Sequence, residues 1–155
     1  MDDVDYRILN ILQKKARIPN VEVARQVEMA PSAVLERIRK LEKAGIIEGY
    51  EVRLNPEKFR RRQVAFVSVA MARGANARTL GDALAALCEV QEVHFISGGD
   101  DGYLVKVRVA NAEALGRLIT EKIHGMDGVA KTRTAVVLST LKETAKIPID
   151  APNPE

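Results

Sequence analysis

The residues best suited to a chemical role lie in the segment 30–47, which reads APSAVLERIRKLEKAGII. At about 100° of rotation per residue, one side of a helix collects three apolar residues, Val34, Ile38 and Leu41. The opposite side collects a hydroxyl, a carboxylate and two cations, from Ser32, Glu36, Arg39 and Lys43. Such groups on one helical face can hydrogen-bond and ion-pair with a charged partner such as DNA. By periodicity alone, a solvated helical face is an equal alternative.

Both ends of this helix are marked by residue type. Pro31 suits the first helical position, where its missing N–H would lack a partner anyway, and Gly45 suits the left-handed residue that closes a helix. Ala30 has no side-chain oxygen to accept first-turn N–H groups, a loss of about 1 kcal/mol relative to Ser, Thr or Asp. Two shorter helical segments precede it, at about 3–15 and from Asn20 as a cap. This order predicts a helix-turn-helix whose third helix turns its polar side to a DNA groove.

Six residues of the third helix are predicted to contact DNA: Ser32, Glu36, Arg37, Arg39, Lys40 and Lys43. The cations toward its C-terminal end are placed for phosphates or guanine edges, and the polar residues near its start for base edges. Arg37 lies beside the core face, so it either touches a phosphate or pairs with an acidic neighbour. The charge distribution favours this assignment: residues 1–62 carry 14 Lys and Arg against 10 Asp and Glu, whereas residues 63–155 carry 10 against 11.

A second candidate site is the turn Gly98-Gly99-Asp100-Asp101-Gly102. Its carboxylates could hold the ammonium group of a small ligand, while exposed backbone N–H groups take the ligand's carboxylate. A tight hairpin is the alternative, because glycine supplies positive φ and aspartate tolerates turns.

Other chemistry has little support in the sequence. Hydrophobic content of 46% with 29% charged residues is typical of a folded globular protein. The single Cys88 excludes an intrachain disulfide and, without a Cys/His cluster, a structural zinc site; His94 and His124 are isolated from each other. No phosphate loop or nucleophile elbow is evident, so we predict no cofactor, no metal and no enzymatic activity. Without a membrane span or signal peptide, the chain is expected in the cytoplasm and off the membrane.

Beyond residue 62 the hydrophobic periodicity predicts an α+β domain. Strands are expected at 64–71, 90–96, 103–109 and from Val129 through Leu138, with helices after Gly74 and Asn111. The order βαββαβ is the ferredoxin-like arrangement, a four-stranded antiparallel sheet with both helices on one face. Apolar residues occur on both alternations of these strands, so we expect the open face to pack on the same face of an identical chain as a two-fold dimer.

The remaining segments divide the chain into domains. Tyr50, Val52 and Leu54 alternate with polar residues and predict a strand, which falls largely within a linker at 51–62 that ends at Arg60-Arg61-Arg62. These arginines fit a solvated linker, with a phosphate contact as the alternative. The predicted division is a helix-turn-helix domain at 1–50, the linker, the ferredoxin-like domain at 63–145 and an extended, loosely held tail at 146–155.

Several short segments follow one another in a specific order: Asp5-Tyr6-Arg7-Ile8-Leu9 with Leu12-Gln13, the helix Val34 to Leu41, Gly45-Ile46-Ile47, Gly49-Tyr50, Gly128-Val129 and Thr134 to Leu138. Together they resemble the Lrp/AsnC family of leucine-responsive, or feast/famine, transcription regulators over residues 1–142. The resemblance implies a winged helix-turn-helix DNA-binding domain joined to a domain for ligand sensing and oligomerisation. It also implies dimers that assemble further, often to octamers, and that bend or wrap promoter DNA.

Many members of this family respond to an amino acid bound between dimers. The resemblance places effector-binding residues at the turn and on the last strand: Gly99, Asp100, Asp101, Gly102, Tyr103, Thr132 and Thr134. The family's turn usually reads Gly-Asp-Tyr-Asp-Tyr, so Asp101 and Gly102 depart from it and leave the effector open.

We therefore predict a sequence-specific DNA-binding transcriptional regulator that acts as a dimer-based homo-oligomer and responds to an amino acid. One alternative is an architectural DNA-binding protein without an effector. Another is an enzyme similar to sirohaem decarboxylases, which share this two-domain layout. That group carries a tryptophan-bearing segment where this chain has residues 93–105, and this chain contains no tryptophan.

Overall fold

The computed structural model describes residues 1–98 and 102–150 of the chain. They fall into two compact units. Among the described residues, the N-terminal unit contains Met1–Arg53 and residues 143–150, and the sheet unit lies within Leu54–Lys142. This division falls inside the predicted linker, and it returns the C-terminal segment to the N-terminal unit, which the sequence did not predict.

Three helices form the N-terminal unit: α1 (Asp3–Lys14), α2 (Asn20–Val27) and α3 (Pro31–Lys43). Their apolar faces meet in one core, which consists of Ile8, Leu12, Val23, Ala24, Val27, Val34 and Ile38. Each helix contributes one fully buried side chain, and these are Ile8, Val23 and Val34. Burying a side chain of this size contributes about 1.5 to 3 kcal/mol, so this small core holds the three helices together.

The starts of α1 and α2 differ in how they are capped. At α1, the Asp2 carboxylate accepts from the Asp5 N–H and the Asp5 carboxylate accepts from the Asp2 N–H, each at 3.0 Å, which is a capping box. The predicted cap of α2 was wrong, because Asn20 is its first helical residue and Pro19 occupies the cap position without a side-chain hydrogen bond. Proline's restricted φ, here −61°, lets the helix begin one residue earlier than expected.

The turn between α2 and α3 depends on backbone conformation rather than on side-chain caps. Glu28 ends α2 with a left-handed φ of 58° and ψ of 45°, a conformation that costs a non-glycine residue about 1 kcal/mol. Ala30 caps α3 without a side-chain hydrogen bond, as predicted, and Pro31 takes the first helical position. The turn is therefore short, and it packs α3 against α2.

The segment after α3 forms no strand. The sequence predicts one at Tyr50, Val52 and Leu54, whereas the structure assigns no ladder to residues 48–55 and leaves the Val52 side chain 78% exposed. Alternation specifies which side chains share a face, but a strand also needs a neighbour that pairs its N–H and C=O groups. None of the described strands of this chain supplies that neighbour. A one-turn 3₁₀ helix, Pro56–Phe59, follows.

The sheet unit has the predicted βαββαβ order. Its strands are β1 (Gln63–Met71), β2 (Val90–Ile96), β3 (Gly102–Val109) and β4 (Val129–Val136). Helix α4 (Ala77–Ala85) joins β1 to β2, and α5 (Ala112–Arg117), which continues as a π-helical turn at Leu118–Ile123, joins β3 to β4. The strands lie in the order β2-β3-β1-β4 with antiparallel neighbours. This is the ferredoxin-like arrangement.

One face of the sheet is covered by the two helices. The residues of β1 and β3 whose side chains point toward the helices are at most 8% exposed. They are Ala65, Val67, Val69, Tyr103, Val105, Val107 and Val109. Leu80 and Leu84 of α4 and Leu115 of α5 pack on this layer. The Asn111 side chain accepts from the Ala114 N–H at 2.9 Å and caps α5, as the sequence predicts.

The opposite face of the sheet is mixed in character. Val64 is buried, and Phe66 and Leu104 are partly exposed near its centre. The register places Lys106 and Arg108 on the same face, opposite Phe66 and Val64. This face therefore carries fewer apolar side chains than the strand patterns predict, because long cationic side chains occupy part of the central strands.

The C-terminal segment packs on α1, in contrast to the predicted loosely held tail. Gln13 donates to the Ile147 carbonyl at 3.0 Å and accepts from the Ile147 N–H at 2.8 Å. Asn10, almost one helical turn earlier, donates to the Ile149 carbonyl at 3.3 Å. The composition of this segment predicts that it lacks regular structure. It does not predict that side-chain amides on α1 form hydrogen bonds with its backbone N–H and C=O groups. Residues 151–155 of the predicted tail lie outside the described residues.

Candidate nucleic-acid interface and effector region

The outer face of α3 presents most of the polar residues predicted to bind DNA. Five of the six are exposed, namely Ser32, Glu36, Arg39, Lys40 and Lys43. Lys40 lies 2.9 Å from the Glu36 carboxylate, one turn away, and holds the pKa of Glu36 below its ordinary value. Arg39 and Lys43 form no ion pair with any residue in 1–98 or 102–150. Two cations on this face are therefore available to an anionic partner.

Arg37, the sixth residue, is held by carboxylates of α1. Its guanidinium lies 2.7 Å from the Asp5 carboxylate and 2.8 Å from that of Asp2. Hydrogen bonds to Asp5 and then to Asp2 raise the pKa of Arg37. Of the two roles that the sequence left open for this residue, the structure shows the ion pair with acidic neighbours. No spacing rule links the start of one helix to the middle of another, so the sequence does not identify Asp2 and Asp5 as its partners.

The chain that leaves α3 stays close to the helix. The N–H groups of Ile46 and Ile47 donate to the Leu41 carbonyl at 2.9 and 3.2 Å, and the Tyr50 hydroxyl donates to the Glu42 carboxylate at 2.9 Å. Burial and this carboxylate raise the pKa of Tyr50 to about 12, so the hydroxyl keeps its proton at neutral pH. Tyr50, which the sequence assigned to a strand, instead anchors this segment beside the C-terminal half of α3.

The predicted effector turn is only partly within the described chain, since Gly99, Asp100 and Asp101 fall outside it. Gly102 begins β3, and a Cβ there would overlap the Val69 carbonyl oxygen, so only glycine fits. Tyr103 is 8% exposed, and its hydroxyl donates to the Ala77 carbonyl at 2.6 Å. That bond ties β3 to the start of α4.

The two predicted threonines lie on β4, on the helix-covered side of the sheet. Thr132 is partly buried, and its Oγ1 lies 2.6 Å from Nε2 of His124, the residue that follows the π-helical turn. Thr134 is also partly buried and pairs with Val67 of β1. The sequence does not indicate this contact of His124, because the π-helical turn that precedes it has no clear sequence signal.

The strand register aligns Tyr103 and Thr132, which are distant in the sequence, across the sheet. Val69 of β1 pairs with Tyr103 on one side and with Thr132 on the other. Paired residues point to the same face, and two strand spacings separate Tyr103 from Thr132 by about 10 Å. The structure thus places residues from the start of β3 and from β4 at one end of the sheet.

Comparison with known proteins decides the family. The sequence model of the Lrp/AsnC ligand binding domain matches residues 64–147, and that of a winged helix-turn-helix DNA-binding domain matches residues 1–48. The chain belongs to the Lrp/AsnC family. This Lrp/AsnC protein is 39% identical over 151 residues to the leucine-responsive regulatory proteins of Escherichia coli and Klebsiella pneumoniae, an alignment that covers 96% of the chain and 92% of each relative.

Solved structures of Lrp/AsnC and related regulators share the whole fold. A transcriptional regulator from Neisseria meningitidis in complex with L-methionine matches with a TM-score of 0.90 at 29% identity, covering 96% of both chains. AsnC from Escherichia coli matches with a TM-score of 0.82 at 27% identity, covering 96% of this chain and 99% of AsnC. These comparisons confirm the predicted fold and the predicted class of function.

As a member of the Lrp/AsnC family, the protein is a DNA-binding transcriptional regulator with a ligand-binding domain. Helix α3, whose outer face is polar, is the element that a helix-turn-helix places in the major groove. Within the described part of the chain, no helix combines the length and the apolar character needed to cross a bilayer.

Proposed function

We propose that α3 recognises the operator and that Arg39 and Lys43 hold its phosphates or guanine edges. The observation that carries this proposal is that both cations are exposed on the outer face of α3 without an ion-pair partner in the described chain. Helix-turn-helix proteins insert such a face into the major groove. Ser32 and Glu36, nearer the start of α3, then lie where side chains meet base edges. Arg37 acts through Asp2 and Asp5 by orienting α3.

Lys40 and Glu36 contribute to the same face as a pair. In the free protein they neutralise each other across one helical turn at 2.9 Å. Contact with DNA offers Lys40 a phosphate and frees the Glu36 carboxylate to accept from a cytosine amino group. The exposed pair is worth little by itself, so exchanging it for DNA contacts has a small free-energy cost.

The protein acts as a homo-oligomer built from two-fold dimers. Phe66 and Leu104 are partly exposed at the centre of the open sheet face, and a second copy of the chain covers such a face in a self-complementary interface. A two-fold dimer presents two copies of α3 to half-sites one helical turn, about 10 bp, apart. Light scattering measures the assembly, and a monomer at working concentration contradicts this proposal.

The effector is a free amino acid that binds in the sheet unit. The Neisseria meningitidis relative was solved with L-methionine, and here Tyr103 and Thr132 lie at one end of the sheet, with Thr134 two residues further along β4. His124 holds the Thr132 hydroxyl at 2.6 Å, and a hydroxyl so fixed can hydrogen-bond an α-carboxylate or α-amino group. The turn residues Gly99, Asp100 and Asp101, with Gly102, complete the proposed site.

Gel-shift titrations test the operator and the effector together. The full-length protein is titrated into its own upstream duplex and into a scrambled duplex of equal length, over a salt series and with each common amino acid. We expect the upstream duplex to bind about 1,000-fold tighter or more, and at least one amino acid to change that affinity by about 5-fold to 150-fold.

Each failure has a separate meaning. Equal affinity for both duplexes with a steep salt slope identifies an architectural DNA-binding protein instead. A response to no amino acid removes the effector proposal and leaves the operator proposal standing. Binding to neither duplex in dilute salt contradicts both.

We also propose that the protein has no enzymatic activity and works in the cytoplasm, where it meets its operators. Its function is carried by an exposed helical face and a ligand-binding sheet, neither of which needs a covalent step. An absorbance scan during incubation with sirohaem tests the decarboxylase alternative. We expect an unchanged spectrum, and a progressive spectral change contradicts this proposal.

A further inference from the structure

The sheet unit contains a concentration of cations that lies outside α3. An open cavity of about 490 Å³ lies between the 3₁₀ helix and the turn that links β3 to α5. Its lining residues are Glu57, Lys58, Arg60, Arg62, Ala110 and Asn111. Three cationic side chains and one carboxylate border this cavity, which we call the basic cleft.

In the part of the chain that the structure describes, the cations of the basic cleft are unpaired, whereas several other cations of the sheet unit are paired with carboxylates. Four cations elsewhere lie within hydrogen-bond distance of a carboxylate: Arg78 with Asp82 at 3.1 Å, Lys106 with Glu92 at 2.8 Å, Arg117 with Glu113 at 3.0 Å and Lys122 with Glu89 at 2.6 Å. Within the described chain, the side chains of Lys58, Arg60 and Arg62 form no ion pair or hydrogen bond. The cleft therefore carries uncompensated positive charge.

Backbone hydrogen bonds fix the turn that carries these cations. Arg60 ends the 3₁₀ helix with a left-handed φ of 52°, and its N–H donates to the Glu57 carbonyl at 3.1 Å. The Arg61 N–H donates to the Pro56 carbonyl at 2.9 Å, and Nη1 of Arg108 donates to the Arg61 carbonyl at 3.4 Å. Glycine adopts this φ without strain, whereas arginine does not. A cation thus occupies a position where the backbone alone favours glycine.

We propose that the basic cleft binds phosphate groups of duplex DNA outside the operator contacted by α3, an inference that rests on the proposed function. Charge complementarity selects this occupant, because three unpaired cations within five consecutive residues suit a duplex that carries one phosphate about every 1.7 Å along its axis. Guanidinium groups bind phosphate oxygens through paired N–H donors. Such a contact does not depend on the base sequence of the DNA. It therefore adds affinity on any flanking DNA and lengthens the bound footprint.

A full-length triple variant, Lys58→Gln with Arg60→Gly and Arg62→Gln, tests the proposal. Arg60→Gly removes the charge and relaxes the left-handed residue, so weaker binding cannot arise from a strained turn. A control with the same net charge combines three exposed sites elsewhere on the sheet unit, Arg73→Gln, Arg78→Gln and Arg117→Gln. Each protein is titrated with an operator of about two helical turns and with the same operator centred in about ten turns of DNA.

On the long duplex we expect the triple variant to bind about tenfold or more weakly than the wild type. The slope of log affinity against log salt becomes shallower by about 0.9 for each phosphate that the variant no longer neutralises. On the short operator the triple variant matches the wild type, and the control matches it on both duplexes.

Three results overturn the proposal. An equal loss on both duplexes places the contact within the operator, and an equal loss in both variants assigns the effect to net charge. An unchanged affinity on the long duplex with an altered molecular mass in light scattering shows that the cleft contacts a second copy of the chain. An unchanged affinity and mass show that it contacts neither. If the wild type binds neither duplex, the proposed function itself fails, and that result is distinct because no variant is needed to see it.

Discussion

The guanidinium of Arg37 on α3 lies 2.7 Å from the Asp5 carboxylate at the start of α1. Asp5 also closes the capping box with Asp2, whose carboxylate is itself 2.8 Å from Arg37. One cluster therefore begins α1 and fixes α3 against it. The orientation of the DNA-binding face therefore depends in part on Asp2, Asp5 and Arg37, whose charges pair with one another.

We expect Asp5→Asn and Arg37→Gln to be less than additive in their effects on stability. Each breaks a partly buried pair, with side-chain exposures of 14% and 29%, and destabilises the N-terminal unit by about 1 kcal/mol. Urea unfolding of both single variants and the double variant gives the coupling. The exposed Glu22–Arg25 pair is the control, with a coupling near zero. Additive effects at Asp5 and Arg37 would contradict the prediction.

Arg39→Ala is expected to weaken operator binding by about 1 to 3 kcal/mol, because it removes a cation from the outer face of α3 that no carboxylate in the described chain neutralises. Arg78→Ala removes the same charge from an ion pair on α4 and should leave affinity unchanged. A loss restricted to the operator identifies a base contact, and an equal loss on scrambled DNA identifies a phosphate contact. Unchanged affinity on both would remove Arg39 from the interface.

The N-terminal unit should lose stability in acid partly through Asp2. The Asp5 N–H, and then Arg37, hold the pKa of Asp2 below its ordinary value of 3.8. A pKa that is lowered by folding adds stability above the unfolded value, and this stability is lost as the pH falls through the folded pKa. The loss therefore begins below about pH 4, and Asp2→Asn removes it. Carbon NMR titration of the Asp2 carboxyl should show a higher midpoint in Arg37→Gln than in the wild type; equal midpoints would refute the assignment.

Gly102→Ala is expected to destabilise the sheet unit by about 2 kcal/mol or more, because its Cβ would overlap the Val69 carbonyl oxygen in the paired strand. Gly116→Ala is the matched control, since a Cβ there has nothing within 4 Å and alanine favours a helix by about 1 kcal/mol over glycine. Thermal unfolding should move in opposite directions in the two variants. Similar shifts would mean that β1 and β3 can separate at Gly102.

Gln13→Ala should release the C-terminal segment from α1. The Gln13 amide makes both a donor and an acceptor bond with Ile147, and loss of one such bond is worth about 1 kcal/mol. Exchange of the Ile147 N–H should accelerate by about fivefold. Gln26→Ala serves as the control, because the Gln26 side chain contacts the Glu22 carboxylate on α2. Unchanged exchange at Ile147 in Gln13→Ala would show that the segment is held by other contacts.

The order of the helices and strands could be predicted from local patterns. The predicted β1 and β3 differ from the structure by one residue at their starts, and β4 ends two residues before Leu138. Apolar side chains at a helical or alternating period report which side of an element is buried, and this depends on neighbours along the chain. The strand predicted at Tyr50, Val52 and Leu54 failed because pairing depends on a partner that the pattern does not contain.

The candidate sites divide in the same way. Exposure of Arg39 and Lys43 follows from the period of α3, so the sequence predicts it. The pairing of Arg37 with Asp2 and Asp5 needs the crossing of two helices, and the contact between Thr132 and His124 needs a π-helical turn to meet a strand.

By itself, the sequence determined which elements form, which faces they bury and where positive charge concentrates, because periodicity and charge are properties of neighbouring residues. Only the tertiary structure decided which charges are neutralised, which of them remain available in the basic cleft, and that Gln13 holds the C-terminal segment on α1. Those outcomes depend on distances between groups far apart in the chain, and packing sets such distances through contacts of a few ångströms.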